Sequence, residues 1–153
     1  MNGKTKGLFL LTPGTTRTQY GALCWRRVND LIEVLLITSR DTGRWVIPKG
    51  WPMDGHTPEE AAALEAWQEA GVKGEVQPGC IGIFPYDKVI GPAQAVPCVV
   101  AVYPLRVTKL ASRFPERKER KRKWFPIAKA AGKVVEPELQ AILAAFVAPA
   151  AGG

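Results

Sequence analysis

The stretch PKGWPMDGHTPEEAAALEAWQEAGV, residues 48–72, decides the fold of this 153-residue chain. It predicts a tight glycine turn followed by a helix. Thr57 suits the N-cap, Pro58 suits the first helical position, and Glu60 completes a T-x-x-E capping box. Gly71 is a typical residue to end a helix. We therefore expect a well-defined helix between Thr57 and Gly71.

The helix is expected to have two distinct faces. An apolar face suited to packing on a sheet consists of Ala63, Ala66, Trp67 and Ala70. The other face carries Glu65, Gln68 and Glu69, together with Ala61 and Ala62. Glutamates at i,i+4 destabilise an isolated helix by about 0.2–0.5 kcal/mol, and no basic residue within the helix relieves them.

A charge from outside the helix is therefore expected near these two glutamates. A divalent cation is the economical candidate, because hard cations bind clustered carboxylate oxygens. A solvated acidic face is the alternative interpretation. The preceding turn favours a site, since glycine turns allow backbone to approach an anionic ligand or a metal.

Length and composition indicate one soluble globular domain. The chain is 46% hydrophobic and 23% charged, and no apolar stretch is long enough to cross a bilayer. Residues 1–14 predict a leading strand or a frayed end and lack the pattern of a signal peptide. Three widely spaced cysteines, Cys24, Cys80 and Cys98, predict buried reduced thiols and a cytoplasmic protein, with a metal or disulfide role as the alternative.

Positive charge is concentrated in one segment. The net charge is +7, and residues 113–123, RFPERKERKRK, carry seven basic and two acidic side chains, a net charge of +5. The segment is either a solvated loop or a clamp for a highly phosphorylated substrate. Nucleic-acid binding is less favoured, because only Phe114 and Trp124 flank the run and Trp124 is expected to pack in the core.

The remaining pattern predicts a mixed α/β domain. Strands are predicted at 18–28, 31–39, 44–48, 80–89, 95–107 and 123–125, and a second helix at 136–147. This order of elements predicts helices packed on a mixed sheet. We expect a single domain over residues 1–153, with its core at about 17–147 and a disordered tail at 148–153.

Residues 50–72 resemble the Nudix box. That pattern is Gly, five residues, Glu, seven residues, Arg-Glu, an aliphatic, any residue, Glu-Glu, any residue, Gly and an aliphatic. The spacing holds from Gly50 onward, and the matching residues are Gly50, Glu65, Glu69 and Gly71. The departures are His56 for the first Glu, Leu64 for the Arg and Gln68 for one paired acid.

The resemblance extends over about residues 17–146. Segments 33–50, 69–84 and 120–125 are similar to the diphosphoinositol polyphosphate phosphohydrolase branch of the family. The resemblance implies the α/β Nudix fold, a mixed sheet sandwiched between helices. It also implies hydrolysis of a phosphoanhydride that depends on Mg²⁺ or Mn²⁺, with a diphosphoinositol polyphosphate, a dinucleoside polyphosphate, a nucleoside diphosphate derivative or inorganic polyphosphate as substrate.

The resemblance also assigns roles to individual residues. Glu65 and Glu69 are the implied catalytic and metal-binding carboxylates, with Gln68 as a weakened ligand and a backbone carbonyl of Lys49 or Gly50 in support. Gln68 supplies oxygen without charge, and Leu64 removes a bracing arginine. The implied substrate-binding residues are Arg17, Ser39, Arg40, Arg44, Lys49, Gly50, Arg117, Arg120 and Arg122.

Some assignments stay open at this point. Glu116 or Glu119 is a candidate for an additional carboxylate or a solvated gap in the basic run, and His56 is interpreted as a solvated turn residue. The alternative function is a weakened Nudix domain that binds a phosphorylated ligand as a sensor or partner module. RNA-end processing is a third hypothesis. The expected partner is a phosphorylated small molecule rather than a membrane, and the oligomeric state is left open.

Overall fold

The computed structural model describes residues 15–150, so the predictions for residues 1–14 and 151–153 lie outside the described part. Eight strands form one sheet: β1 Arg17–Val28, β2 Leu31–Thr38, β3 Trp45–Val46, β4 Lys49–Gly50, β5 Val72–Val76, β6 Gly82–Gly91, β7 Gln94–Leu110 and β8 Arg122–Pro126. The helices are α1 Pro58–Ala70, α2 Ile127–Ala130 and α3 Pro137–Ala145, with a 3-10 turn at Ala131–Lys133. In residues 15–150 no helix is both long and apolar enough to span a membrane.

The sheet is mixed, as predicted. Its central strand β1 pairs in parallel with β7 and antiparallel with β2 and β4. Strand β7 also pairs antiparallel with β5 and β6, while β2 pairs with β3 and β8. This topology brings the short strand β4, which directly precedes the turn before α1, alongside the middle of the sheet.

Each face of the sheet has its own core, which confirms the predicted sandwich. Side chains that alternate along β1 and β2 go to opposite faces. One face packs against α2 and α3 through Leu23, Trp25, Val34, Leu36, Ala130, Leu139 and Leu143. The other packs against α1 through Ala22, Cys24, Leu35, Ile37, Ala62, Ala66 and Ala70.

Helix α1 begins and ends as its sequence predicts. The Glu60 N–H donates to Thr57 Oγ1 at 3.2 Å, and the Thr57 N–H donates to Glu60 Oε1 at 2.9 Å. Gly71 ends the helix in the left-handed conformation, with φ of 68°. The capping box and the glycine stop therefore fix both ends of the helix that carries the two glutamates.

The predicted faces of α1 are wrong in part. Ala61 and Ala62 are buried, whereas Ala63 and Trp67 are only partly buried. The helix is rotated so that its smallest side chains meet the sheet, which permits close approach, while the indole lies at the margin under the Lys73 ammonium. This rotation also buries Glu69, which is only 7% exposed.

Several shorter elements escape the sequence prediction. Strands β4 and β5 and helix α2 are too short or too polar to show a period, and β7 is longer than expected. Cys24 and Cys98 are buried as predicted, but Cys80 is exposed, because it lies in the loop before β6 and outside the sheet. All three cysteines are free.

We predict that Gly71→Ala destabilises the protein more than Gly43→Ala. The two glycines have nearly equal φ, 68° and 69°, so both substitutions introduce backbone strain of about 1–2 kcal/mol. A Cβ at Gly71 would also lie 2.5 Å from the Phe114 ring, whereas nothing lies within 4 Å at Gly43. Urea denaturation measures both losses. Equal losses would show that Phe114 moves aside at no cost.

Candidate active site

Two carboxylates of α1 and the short strand β4 lie side by side in the lining of an open cavity of about 540 Å³. A Cβ built on Gly50 would clash with the Glu65 carboxyl group. Any residue other than glycine at this position would therefore displace the carboxylate. Gly50 thus lets the backbone of β4 pass directly beside Glu65.

Glu69 is held from two directions. The Lys49 N–H of β4 donates to Glu69 Oε1 at 3.3 Å, and Arg120 Nη2 lies 3.6 Å from Glu69 Oε2. Buried carboxylates require such partners, because an unpaired buried charge is strongly unfavourable. The pairing of β4 with β1 fixes the first partner, and the segment between β7 and β8 supplies the second.

Arg120 connects this second segment to the site. Its Nε donates to Glu116 Oε1 at 2.8 Å and its Nη1 donates to the Thr38 carbonyl at 3.1 Å. The Arg120 and Glu116 side chains are only 10% and 12% exposed. The charge from outside the helix that the sequence requires is thus provided, in the described structure, by a guanidinium.

The crowded carboxyl groups have raised pKa values. The pKa of Glu65 is raised to about 8, chiefly by burial and also by the neighbouring Glu69 charge, a hydrogen bond to Glu69 and the Glu116 charge, while Arg120 opposes them. Burial also raises the pKa of Glu69, against the effect of Arg120 and Lys49. Burial lowers the pKa of Lys49 to about 8.

The same cavity is also lined by cationic and aromatic side chains. Its basic side chains are Arg40, Lys49, Lys88 and Arg120, and its other polar or aromatic side chains include Gln19, Trp51, Trp67 and Tyr86. The Tyr86 hydroxyl hydrogen-bonds to Gln19 Oε1 at 2.5 Å, and the Lys49 ammonium lies 4.8 Å from the centre of the Tyr86 ring. Carboxylates and cations lining one cavity suit a metal-bridged phosphate ligand.

A family profile described as NUDIX domain matches residues 17–146, which is most of the chain. The chain belongs to the Nudix family. Nudix hydrolase 12, mitochondrial, of Arabidopsis thaliana is 35% identical over 111 residues, covering 67% of this chain and 52% of that protein. Human diphosphoinositol polyphosphate phosphohydrolase 3-alpha is 30% identical over 125 residues, covering 75% and 72%. The chain spans about half the length of its Arabidopsis relatives.

Solved structures show the same Nudix fold. A Caenorhabditis elegans Ap4A hydrolase in a binary complex has a TM-score of 0.61 at 19% identity, covering 84% of this chain and 93% of that one. The NUDIX domain of Shewanella oneidensis NrtR, solved with ADP ribose, has a TM-score of 0.57 at 16% identity, covering 91% and 94%. At these identities the likeness concerns the fold alone.

The Nudix box residues occupy one end of the cavity. Leu64, Glu65, Gln68 and Glu69 all line it, and Gly50 lies beside them. His56 is exposed, with its Nδ1 3.5 Å from Glu60 Oε1, as expected of a solvated turn residue. The two departures Leu64 and Gln68 therefore leave uncharged side chains at the place where the box normally presents an arginine and an acid.

Eight of the nine predicted substrate-binding residues fall into three groups. Arg40, Lys49, Gly50 and Arg120 line the main cavity. Ser39 and Arg44 line an adjoining cavity of about 190 Å³, which shares Arg40, Lys49 and Arg120 with the main one. Arg117 and Arg122 instead line a depression of about 300 Å³, which Arg120 also borders. The ninth residue, Arg17, has its guanidinium 5.2 Å from the centre of the Trp51 ring.

Outside residues 48–72, three lining residues were missed in the sequence. Gln19 is a polar residue in an apolar strand, and Tyr86 and Lys88 alternate along β6, so period-two spacing puts both on one face. These signals exist, but they point to the cavity only once β6 is known to pair with β7 and β7 with β1. Sheet order, which a single sequence does not reveal, brings them to the box.

The residues present fit a hard divalent cation. Glu65 and Glu69 offer carboxylate oxygens, and the Gly50 backbone lies beside Glu65. The two glutamates are the core of the donor set. No group of three or more His, Cys, Asp or Glu side chains arranged for a metal occurs in residues 15–150.

We predict that the metal-free Nudix domain loses stability as pH rises, through Glu65. The folded pKa of about 8 exceeds the ordinary value of 4.5, so the folded state binds more protons and its stability falls between these pH values. Glu65→Gln should therefore flatten the decrease in melting temperature measured in EDTA. Glu138→Gln, exposed on α3, is the control. An unchanged slope in Glu65→Gln would mean that Glu65 is ionised at neutral pH.

Proposed function

We propose that this Nudix domain hydrolyses a phosphoanhydride with the help of Mg²⁺ or Mn²⁺. One observation carries the proposal. The paired carboxylates Glu65 and Glu69 line the same open cavity as the cationic side chains Arg40, Lys49 and Lys88. This arrangement offers binding groups for a metal and for adjacent phosphates at once, and phosphoanhydride hydrolysis needs both charge neutralisation and a positioned water.

The side chains of the cavity have different proposed roles, which follow from their chemistry. A bound dication would polarise the anhydride and neutralise charge on its oxygens. Glu69, anchored by the Lys49 N–H, would hold it together with Glu65, and the Gln68 amide oxygen would contribute an uncharged donor. Glu65 lies beside the Gly50 backbone and has a raised pKa, which suits a group that orients an attacking water and accepts its proton.

The cations indicate a substrate with several phosphates. Arg40, Lys49 and Arg120 border both the main cavity and the adjoining one, which Ser39 and Arg44 extend further. A chain of phosphates bound in the first cavity would therefore meet more donors in the second. A diphosphoinositol polyphosphate or a dinucleoside polyphosphate is the substrate class that this extended surface suits best, and the human relative acts by name on the first.

A phosphorylated small molecule suits this surface better than nucleic acid. Single-strand binding requires exposed aromatic side chains between the cations. Phe114 instead packs beside Gly71 with the Arg122 guanidinium 4.8 Å from its ring centre, and Trp124 packs against the α1-side core under Arg26. The reduced thiols fit a cytoplasmic location, which we propose for the protein.

Hydrolysis should require a divalent cation and Glu69. Glu69→Gln removes charge from a site already depleted at Gln68, so we predict a rate loss of at least about a hundredfold. Glu65→Gln should be severely impaired as well. The assay incubates a diphosphoinositol polyphosphate, a dinucleoside polyphosphate, ADP-ribose and polyphosphate with Mg²⁺ or Mn²⁺ and separates the products by anion exchange. Glu138→Gln is the control for substitution of a glutamate elsewhere.

Two results would contradict this assignment. Full turnover in both variants would put the chemistry at another place. Absence of turnover on every substrate, with tight ligand binding retained, would instead support the alternative of a binding module.

Substrate affinity should depend on Arg40 more than on Arg117. Arg40 borders both cavities, so Arg40→Gln should raise KM with little change in kcat, because a phosphate contact of this kind holds substrate and transition state alike. The effect should be larger for substrates with more phosphates and smaller at high salt, where exposed charges are screened beyond about 8 Å. Arg117→Gln, in the separate depression, is the matched control. Equal effects of the two variants on KM would mean that Arg40 and Arg117 act only through the general positive charge of this surface.

A further inference from the structure

The main cavity contains an apolar patch that metal and phosphate binding leave uncovered. The patch consists of Trp51, Met53, Leu64 and Trp67, which all line the cavity. Leu64 is 40% exposed, and the other three side chains are partly buried. One exposed apolar side chain is ordinary, but several together in a concave site indicate a ligand that covers them.

Helix α1 and the turn before it supply the whole apolar patch. Leu64 and Trp67 lie three residues apart on α1, so they are neighbours on one face of the helix. Trp51 directly follows Gly50, whose backbone lies beside the Glu65 carboxylate. The patch is therefore built into the same turn and helix that carry the two carboxylates.

Both indole rings of the apolar patch are in contact with a cation. The Arg17 guanidinium lies 5.2 Å from the centre of the Trp51 ring, and the Lys73 ammonium lies 5.3 Å from the centre of the Trp67 ring. Cation–π contacts of this kind are attractive and restrain the rotation of a ring. Two restrained flat rings in a cavity suit stacking with a flat group of a ligand.

The apolar patch and the cations differ in which cavity they border. Both cavities are bordered by the basic side chains Arg40, Lys49, Lys88 and Arg120. The four side chains of the apolar patch border only the main one of these two cavities. A ligand whose phosphates extend into the adjoining cavity would therefore leave its apolar part in the main cavity, against the patch.

A nucleobase suits the apolar patch better than an inositol ring does. The ring of a diphosphoinositol polyphosphate carries an oxygen substituent on every carbon, so it would bring charged groups against apolar side chains that offer them no partner. A nucleobase has two flat faces, and any base stacks on an aromatic side chain in this way. The patch thus favours a substrate that combines several phosphates with a base.

We propose that Trp51, Leu64 and Trp67 form a subsite for the base of a nucleoside polyphosphate. Leu64 provides apolar surface for that base at the position where the Nudix box normally has an arginine. Among the substrates that the proposed function leaves open, the subsite selects a nucleoside or dinucleoside polyphosphate over a diphosphoinositol polyphosphate. The inference rests on the proposed function for the phosphate contacts, but base-dependent binding without hydrolysis tests it separately.

Two non-hydrolysable ligands test the subsite on the whole protein with Mg²⁺. α,β-Methylene-ADP carries a base, whereas methylenediphosphonate has the same bridged phosphorus pair without a nucleoside. By isothermal titration calorimetry, the first should bind at least about tenfold more tightly, as expected for one stacked base. The adenine H2 and H8 NMR signals should also move upfield on binding, because stacking places these protons over an indole ring.

Substitutions in the apolar patch should affect the two ligands differently. Trp51→Ala and Leu64→Ala should raise the Kd of α,β-methylene-ADP about tenfold and about threefold, and leave the Kd of methylenediphosphonate within about twofold. Trp51→Phe keeps an aromatic ring and should recover most of the affinity lost in Trp51→Ala. Leu31→Ala, which removes a leucine that is 69% exposed on β2, is the matched control and should change neither Kd.

Three results would overturn the base subsite. They are equal affinity of the wild-type protein for the two ligands, an equal loss of both in Trp51→Ala, and hydrolysis restricted to a diphosphoinositol polyphosphate. The last of these would leave the proposed function standing. Base-dependent binding with no hydrolysis of any phosphoanhydride would instead refute the proposed function and support this inference.

Discussion

The site depends on one constraint, the placement of two carboxylates four residues apart at the edge of a hydrophobic core. Glu65 and Glu69 repel each other, and the burial of Glu69 adds a desolvation penalty. Three features make the arrangement possible: a backbone N–H from β4, a guanidinium from a distant segment, and a glycine that leaves room for a carboxylate. The proposed binding of a metal ion would offset the remaining repulsion between the two carboxylates.

The sandwich creates that constraint through the alanines of α1. Ala62, Ala66 and Ala70 allow the helix to lie close on the sheet, so the glutamates between them cannot turn to solvent freely. The capping box and Gly71 then fix where the helix begins and ends relative to β4. A helix with larger core residues would stand further from Lys49 and Gly50 and would separate the carboxylates from the backbone that anchors them.

The sequence predicted what is encoded locally. The caps, the glycine stop, the box spacing and the mixed sheet follow from short-range chemistry and from a family resemblance. The helix rotation was wrong because helical period alone does not show whether Trp67 or Ala62 fits closest to a sheet. The bracing role of Arg120 was missed because it depends on contacts far apart along the chain, such as its bond to Thr38, 82 residues away. Tyr86 and Lys88 were missed because only strand order brings them to the box.

The most direct test is a crystal structure of the protein with Mn²⁺ and a non-hydrolysable phosphoanhydride analogue, with the metal located by anomalous scattering. We expect Mn²⁺ bound by Glu65 and Glu69 beside Gly50, with the phosphates directed toward Arg40, Lys49 and Lys88. A metal located away from both box glutamates, or an analogue bound in the depression around Arg117 with no metal at α1, would contradict it.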